Sequence, residues 1–195
     1  MRELIYYVAT TLDGFIAEPD GSFDGFPMDQ GFLAALAKTY PETLPALFHA
    51  AMGTRPENTR FDTVLMGRKT YEVGQRDGLT NPYPTLQQIV FSRTLQASPD
   101  DNVELVATDA VARVRRLKEE SGKAIWLCGG SILASTLLAA GLIDGLIVKL
   151  NPVLFGSGIP LFAPAADGAP TGLELTETEV FDSGHAVLQY RVRGG

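Results

Sequence analysis

The chain has 195 residues, of which 45% are hydrophobic and 20% charged, a composition typical of a soluble globular protein. Its net charge of −7 argues against a general nucleic-acid surface, since binding to backbone phosphates requires a basic footprint. One cysteine excludes an internal disulfide, and two histidines leave little for a metal site, so we expect no metal.

The N-terminal residues and the longest apolar stretch bear on localisation. The chain begins with one arginine and strand-like sequence, without the charged leader and apolar segment of a signal peptide. The most apolar stretch, residues 132–143, is shorter than a membrane span requires. We therefore expect a cytoplasmic protein that does not enter a membrane.

The first third of the chain predicts one central strand and then a long irregular segment. A continuous apolar run over residues 4–9 is typical of a strand buried on both faces. Residues 18–61 are interrupted by prolines and glycines, with short helices possible at 32–37 and 44–52. Long irregular segments inside compact domains commonly carry function, and we expect the same here.

Three strand–helix units come next. The strands are predicted at 63–66, 103–107 and 124–127, and the helices at 69–74, 110–120 and 132–140. Asp109 is a candidate N-cap for the second helix, whose apolar face consists of Val111, Val114 and Leu117. A solvated face is the simplest interpretation of its basic residues, Arg113, Arg115, Arg116 and Lys118. Two further apolar runs predict strands at 89–91 and 146–150.

The end of the chain has a different hydrophobic period. Apolar and polar residues alternate over 186–192, which is typical of a half-buried strand. Residues 173–181 precede it, with a turn at 182–184, so an antiparallel hairpin is predicted beside a mostly parallel sheet. No internal repeat, low-complexity tract or linker is visible, and residues 1–195 are expected to form a single domain.

The most informative stretch is residues 64–72, VLMGRKTYE, where an apolar run stops at Gly67 and a basic turn leads towards a helix. A strand that runs into a helix directs backbone N–H groups and the helix dipole at one point, which suits an anion. Arg68 and Lys69 add positive charge there, and Thr70 adds a hydroxyl donor. The alternative is an ordinary strand-to-helix turn with solvated basic residues.

A second junction of the same kind follows the apolar residues 124–128. Gly129 and Gly130 permit close approach of a ligand to the backbone, and Ser131 begins the next helical stretch. The alternative is a tight turn that needs glycine for steric reasons. Two such junctions in one domain suggest a ligand with several phosphates, although neither carries the Rossmann or P-loop fingerprint. Cys128 is expected to be a buried structural cysteine, with a reactive thiol as the alternative.

Taken in order, these blocks resemble the dihydrofolate reductase superfamily, and more closely the reductase domain of the bifunctional riboflavin-biosynthesis deaminase-reductase. The resemblance extends from about residue 2 to residue 193 and rests on six blocks, at 11–17, 64–72, 90–94, 127–133, 141–146 and 152–162. It implies a three-layer α/β/α fold in which helices cover both faces of a mixed, mainly parallel eight-stranded sheet. In that fold, residues 18–61 would border the substrate side.

The resemblance also implies an NADPH-dependent reductase that transfers a hydride to a small heterocyclic substrate. The segment contacting the pyrophosphate and the adenosine 2′-phosphate matches Gly67, Arg68, Lys69 and Thr70. The segment closing over the adenosine end matches Ser92 and Arg93. The segment wrapping the pyrophosphate, whose Gly–Gly bond is often cis in the family, matches Gly129, Gly130, Ser131, Ile132 and Leu133. The surroundings of the nicotinamide match Val8, Ala9 and Ile16.

The substrate side of the resemblance is less complete. Asp13 matches an Asp-Gly segment near the substrate and is the candidate catalytic acid, with a plain Asp-Gly turn as the alternative. Cys128 stands where riboflavin-type reductases usually have a glutamate, and residues 18–61 lack a clear counterpart of their phosphate-binding basic residues. Asp24 and Asp29 are candidates for the acid that dihydrofolate reductases carry on the first helix. A heterocyclic or carbonyl substrate, the riboflavin-pathway substrate and a non-catalytic NADP-binding or sensor module all stay open.

Two expectations concern binding partners. Because no acidic partner of Arg68, Lys69 or Arg93 is evident in the sequence, NADPH should bind more tightly than NADH. Related reductases commonly pair through sheet edges and C-terminal elements, and an exposed hairpin edge favours pairing. We therefore expect a homodimer to which residues 173–192 contribute.

Overall fold

The computed structural model of the protein describes residues 1–76, 78–98, 100–164 and 170–193. The strands in these ranges are β1 (Leu4–Thr11), β2 (Phe15–Ala17), β3 (Phe61–Gly67), β4 (Gln87–Phe91), β5 (Val103–Val106), β6 (Ala124–Gly129), β7 (Gly145–Asn151), β8 (Ile159–Pro160), β9 (Leu173–Val180) and β10 (Ala186–Val192). The helices are α1 (Gln30–Thr39), α2 (Ala46–Met52), α3 (Arg68–Arg76), α4 (Ala110–Glu119) and α5 (Ser131–Ala139), with a 3-10 turn at Pro41–Thr43.

Eight of the strands form one sheet in the order β5-β4-β3-β6-β1-β7-β10-β9. The first six of these run parallel, and β10 and β9 add an antiparallel hairpin at the far side. The predicted mixed, mainly parallel sheet with a C-terminal antiparallel hairpin is confirmed. A second sheet, formed by β2 and β8, was not predicted, because strands of two or three residues leave no periodic signal.

The central strand β1 explains why helices cover both faces of the sheet. Its side chains alternate between two cores: Leu4, Tyr6 and Val8 face one side, and Ile5 and Tyr7 face the other. The first core is completed by α4 and α5, through Val114, Leu117, Ala134 and Leu137. The second is completed by α1 and α3, through Phe32, Leu36 and Tyr71. Burying an apolar side chain of this size contributes roughly 1.5–3 kcal/mol, so each layer is held by several such groups.

Aspartates fix the starts of two helices. The Asp109 carboxylate accepts a hydrogen bond of 3.0 Å from the Ala112 N–H, which confirms it as the N-cap of α4. The Asp29 carboxylate does the same for α1, at 2.7 Å from the Phe32 N. This contact gives Asp29 a structural role as the N-cap of α1, and its candidate role as the acid of the first helix stays a prediction.

The prediction that the basic residues of α4 form a solvated face is wrong for Lys118, which is only 6% exposed. Its Nζ donates to the Leu142 carbonyl at 2.9 Å and forms an ion pair with Asp144. Asp144 also accepts from the Leu4 N–H at 2.7 Å, so the pair ties α4 to the start of β1. The long aliphatic stem of a lysine can run over apolar surface, and periodicity alone therefore misassigned this residue.

Candidate active site

The two glycine junctions lie side by side at the carboxyl ends of β3 and β6, which are parallel neighbours. A Cβ atom placed on Gly67 would lie 3.4 Å from the Gly130 nitrogen. A Cβ atom on either Gly129 or Gly130 would lie 3.5 Å from Thr70 Oγ1. The residues that the sequence singled out in two separate motifs therefore form one site.

The start of α5 has an unused hydrogen-bonding group. Ser131 is only 5% exposed, and its Oγ has no hydrogen-bond partner among the described residues. An unpaired buried polar group costs roughly 1–3 kcal/mol, so such groups usually face a ligand or an ordered water. Gly130 is the N-cap of this helix, and the Gly129–Gly130 peptide is cis, as the resemblance implies. Free N–H groups and the positive end of the helix dipole make this position suitable for an anion.

The next two residues of α5 differ in exposure. Ile132 is 77% exposed, whereas Leu133 is half-buried and packs against the core shared by β1, α4 and α5. Leu133 therefore anchors the first turn of the helix, and Ile132 remains available on the surface beside the glycines.

The positive charges near the junctions are not equivalent. Arg68 pairs with Glu72 on the next turn of α3, with 2.6 Å between Nη1 and Oε1. This corrects the expectation that no acid engages Arg68, and the i,i+4 spacing was visible in the sequence. Lys69 and Arg93 are exposed, and neither forms an ion pair within the described ranges of the chain.

Ser92 shapes the turn that follows β4. Its Oγ accepts hydrogen bonds from the Leu95 N–H at 2.9 Å and the Thr94 N–H at 3.2 Å, and its own N–H donates to the Val106 carbonyl. The hydroxyl is thus committed to the backbone of its own turn. These hydrogen bonds fix the turn that carries the exposed Arg93.

The three residues matched to the nicotinamide surroundings do not all face the same way. Val8 is buried in the core beneath α4 and α5, and Ile16, on β2, packs against that same core. Ala9 is half-buried and follows Val8 on the strand, so its side chain points to the opposite face, which it shares with Tyr7.

Asp13 braces the loop that follows β7. Its carboxylate accepts hydrogen bonds from the Thr11 hydroxyl, the Gly156 N–H at 2.7 Å and the Phe155 N–H at 3.2 Å. The Thr11 hydrogen bond and these N–H groups lower the pKa of Asp13, so the carboxyl stays ionised at neutral pH. Its role as a catalytic acid stays a prediction, and the observed contacts are those of a carboxylate that positions a loop.

A shallow groove lies beside this loop. It has a volume of about 390 Å³ and is bordered by Glu18 and Gly25 on one side and by Phe155 on the other. The start of the long segment after β2 therefore meets the loop held by Asp13 at an open surface.

Sequence reasoning missed a polar cluster on the Tyr7 face of the sheet. The Lys149 Nζ lies 4.2 Å from the centroid of the Tyr7 ring, and Lys149 pairs in register with Ala9. Burial lowers the pKa of Lys149 to about 8 and raises the pKa of the nearby Cys128 thiol to about 11. One signal was available, since Lys149 is the single charged residue in the strand GLIVKLN.

Two further searches covered the described part of the chain. None of its helices is long and apolar enough to cross a membrane. Nor do its histidine, cysteine, aspartate and glutamate side chains gather in groups of three or more that could hold a metal ion.

The fold and the paired junctions define an α/β protein of the dihydrofolate reductase type. The structure superimposes on the dihydrofolate reductase of Enterococcus faecalis complexed with NADP(H) and RAB-propyl, with a TM-score of 0.64 and 18% identity, covering 98% of this chain and 97% of that one. A putative riboflavin biosynthesis protein from Shewanella sp. PV-4 gives a TM-score of 0.71 and 24% identity, covering 97% and 98%. At these identities, the likeness establishes the fold alone.

The family follows from the sequence comparison. The family model described as the RibD C-terminal domain matches residues 2–187, and the chain belongs to this family. The uncharacterized protein YwjB of Bacillus subtilis strain 168 is 32% identical over 192 residues, covering 98% of each chain. The predicted resemblance and the predicted fold are both confirmed.

Proposed function

We propose that the protein is an NADPH-dependent reductase that transfers a hydride to a small heterocyclic substrate. The observation that carries this proposal is the single site formed by the two glycine junctions, with the unpartnered Ser131 hydroxyl buried in it. A pyrophosphate would supply acceptors both for this hydroxyl and for the free N–H groups of α5. The dihydrofolate reductase of the same fold, which was studied with NADP(H), supports the choice of cofactor.

Each predicted cofactor residue has a part in this proposal. The backbone of the glycines and the hydroxyl groups would hold the pyrophosphate, through Gly67, Thr70, Gly129, Gly130 and Ser131. Lys69 and Arg93, which have no acidic partner in the described ranges, would hold the adenosine 2′-phosphate, and Arg68 would contribute less because Glu72 neutralises part of its charge. Ser92 would orient Arg93, and Ile132 and Leu133 would close the first turn of α5 beside the pyrophosphate.

The chemistry would depend on position more than on reactive side chains. Bound NADPH supplies the hydride, and the protein has to hold the nicotinamide against its acceptor in a site from which water is excluded. Val8 and Ile16 would pack on one side of the strand β1, and Ala9, on the other, would leave room for the substrate. Asp13 would act by holding the loop at Phe155 and Gly156 next to this site.

Titration with NADPH and NADH tests the proposal. Trp126 is the only tryptophan of the chain and lies on β6, three residues before Gly129, so its fluorescence should report binding. We expect both dinucleotides to quench it, and NADPH to bind more tightly. Equal affinities would contradict the 2′-phosphate assignment, and an absence of binding would contradict the proposal itself. Tight binding with no oxidation of NADPH by any heterocyclic or carbonyl compound would favour a non-catalytic NADP-binding or sensor module.

We also propose that the protein forms a homodimer through its C-terminal hairpin. Strand β9 is an edge of the main sheet and all eight of its residues are exposed, including Leu175 at 53% and Val180 at 71%. Unpaired strand edges with exposed apolar side chains favour pairing with another chain. Light scattering at micromolar concentration should give twice the chain mass of 21.0 kDa. Val180→Lys should shift the mass to that of one chain, and a wild-type monomer would contradict the proposal.

A further inference from the structure

The Tyr7 face of the sheet carries an aromatic cluster in which Tyr7 and Trp126 are buried, at 2% and 3% exposed, and Tyr83 is half-buried. The Tyr7 and Trp126 rings meet edge to face with centroids 5.9 Å apart, and the Trp126 Nε1 donates to the Tyr7 carbonyl at 2.9 Å. Tyr83 packs edge to face on Trp126 at 4.8 Å and lies next to the Cys128 thiol. The half-buried Tyr83 is therefore the ring of this cluster that a planar aromatic ligand can contact.

Lys149 brings a positive charge to this aromatic cluster, with its Nζ 4.2 Å from the centroid of the Tyr7 ring. The first four residues of β7 are glycine, leucine, isoleucine and valine, all buried, and Lys149 follows them as a half-buried residue. Its register neighbours are Ala9 on β1 and Val187 on β10, which are both apolar. Strand alternation places its side chain on the same face as Tyr7 and Ala9.

The surroundings of Lys149 do not neutralise it. The titratable groups that face its ammonium are the Tyr7 phenol and the Cys128 thiol, with Tyr83 beyond the thiol. Within the described ranges, Lys149 forms no ion pair with a carboxylate. Partial burial of a charge without a counter-charge is unfavourable, and folded proteins usually keep such a group where it meets a ligand.

We infer that Lys149 contacts the substrate, receiving the electronegative atom of a C=O or C=N group on a planar ring and giving it a proton when the hydride adds. The inference rests on the proposed reductase function. The substrate carbon gains the hydride, and the π electron pair moves to the oxygen or nitrogen. That atom takes a proton from Nζ, which becomes a neutral amine and is reprotonated by water. NADPH is the reductant and is oxidised to NADP⁺.

The chemistry of the site narrows the substrate class. Because burial lowers the pKa of Lys149 to about 8, the amine is mostly protonated at pH 7 and gives up its proton readily. The raised pKa of Cys128 keeps the thiol neutral, so it does not form an ion pair with the lysine. A neutral or anionic aromatic ring fits this site, and a cationic ring does not.

Covalent labelling tests the position and reactivity of Lys149 without knowledge of the natural substrate. Salicylaldehyde, a planar carbonyl compound, forms an imine with an unprotonated lysine, and sodium cyanoborohydride traps it for mass spectrometry. The chain has five lysines, so mass spectrometry can follow the labelling of each one separately. At pH 8 we expect Lys149 to be labelled at least tenfold faster than the exposed Lys38. Labelling at an equal or lower rate would overturn the inference.

Turnover measurements with matched variants separate this inference from the proposed function. The NADPH affinity of Lys149→Met, measured by Trp126 quenching, should lie within twofold of wild type, because the proposed phosphate contacts come from residues 67–70 and 129–131. Lys38→Met is the matched control. With 4-nitrobenzaldehyde or 7,8-dihydrofolate as acceptor, Lys149→Met should lose roughly 100-fold in kcat, the usual contribution of a general acid. Lys149→Arg should recover KM more than kcat, since it restores charge but not an easily released proton.

The outcomes are distinguishable. A wild-type protein that binds NADPH and a Lys149→Met variant with wild-type kcat would overturn the inference and leave the reductase proposal intact. A wild-type protein that does not bind NADPH would overturn the reductase proposal and, with it, the substrate role of Lys149. If wild type reduces neither acceptor, the labelling rates alone decide whether Lys149 faces the site as inferred.

Discussion

The two sides of the candidate site are built in different ways. The side proposed to bind phosphate, hereafter the phosphate side, uses backbone atoms, hydroxyl groups and basic side chains from two short contiguous segments, 67–70 and 129–131. The Tyr7 face uses single side chains from three separate strands, Tyr7, Cys128 and Lys149. Backbone groups recognise a feature common to all dinucleotides, whereas individual side chains can differ from protein to protein without disturbing the fold. The comparison suggests that the first side serves the cofactor and the second selects the substrate.

Substitution of Gly130 should have the largest effect on the affinity for NADPH. The protein itself has room for a Cβ atom there, 3.5 Å from Thr70 Oγ1, but that atom would occupy the space of the pyrophosphate. We expect Gly130→Ala to fold and to bind NADPH roughly 100-fold more weakly, equivalent to about 2–3 kcal/mol of lost charge-assisted hydrogen bonds. Trp126 quenching and thermal melting on the same sample measure both quantities. Gly31→Ala, on α1, is the control, and wild-type affinity in Gly130→Ala would contradict the cofactor site.

Removing the charge of Lys149 should stabilise the protein at neutral pH. Its pKa changes from 10.5 to about 8 on folding. This shift corresponds to at most about 3 kcal/mol, which solvent screening of a half-buried group reduces to about 1–2 kcal/mol. Below pH 8 the folded protein carries the full cost of the buried charge. Between pH 8 and 10.5 the unfolded chain binds more protons, so wild-type stability rises with pH.

Denaturant unfolding of wild type and Lys149→Met at several pH values measures this effect. The variant should be more stable at pH 7, and its advantage should disappear by about pH 10.5. The matched variant Lys38→Met should show no such trend, because Lys38 is exposed. A constant difference between wild type and Lys149→Met at all pH values would show that Lys149 is not desolvated.

Substitution of the unpaired basic residues should sharpen the assignment of the phosphate side. We expect Arg93→Ala and Lys69→Ala each to weaken NADPH binding about tenfold, the loss of about 1.4 kcal/mol, and to leave NADH binding unchanged. Arg68→Ala should have a smaller effect, because Glu72 already engages this side chain. Isothermal titration calorimetry measures the affinity of each variant for NADPH and for NADH. Equal losses for NADH and NADPH would place these residues elsewhere than at the 2′-phosphate.

The smallest effect should come from Asp13, whose contacts are local. In Asp13→Ala the Phe155 and Gly156 N–H groups lose their acceptor, so their hydrogen exchange should accelerate while the melting temperature changes little. In wild type, the lowered pKa means that this support is present at neutral pH and is lost as the pH falls through that value. Unchanged exchange in the variant would contradict the bracing role.

The local geometry of the two glycine junctions could be predicted from the sequence, and the geometry of the Tyr7 face could not. Gly67 and Gly130 belong to segments in which strand, glycine and helix follow one another, so the motif itself describes the local geometry. Lys149 is far from Tyr7 in the sequence, and only the sheet register brings them together. A contact between segments distant in the sequence also explains why Lys118 was misassigned, since its partner Asp144 precedes β7.

With the inferred role of Lys149, its pairing with Ala9 makes substrate specificity depend on strand alignment. Because successive side chains of a strand point to opposite faces, inserting one residue at the start of β7 would turn Lys149 towards the α4 and α5 core. Val148 would then occupy its place beside Tyr7. Such an insertion would remove the inferred proton donor from the Tyr7 face without moving the glycine junctions. Under the proposed function, an active reductase and a protein that binds the dinucleotide without reducing a substrate would therefore differ by a shift of one residue in β7.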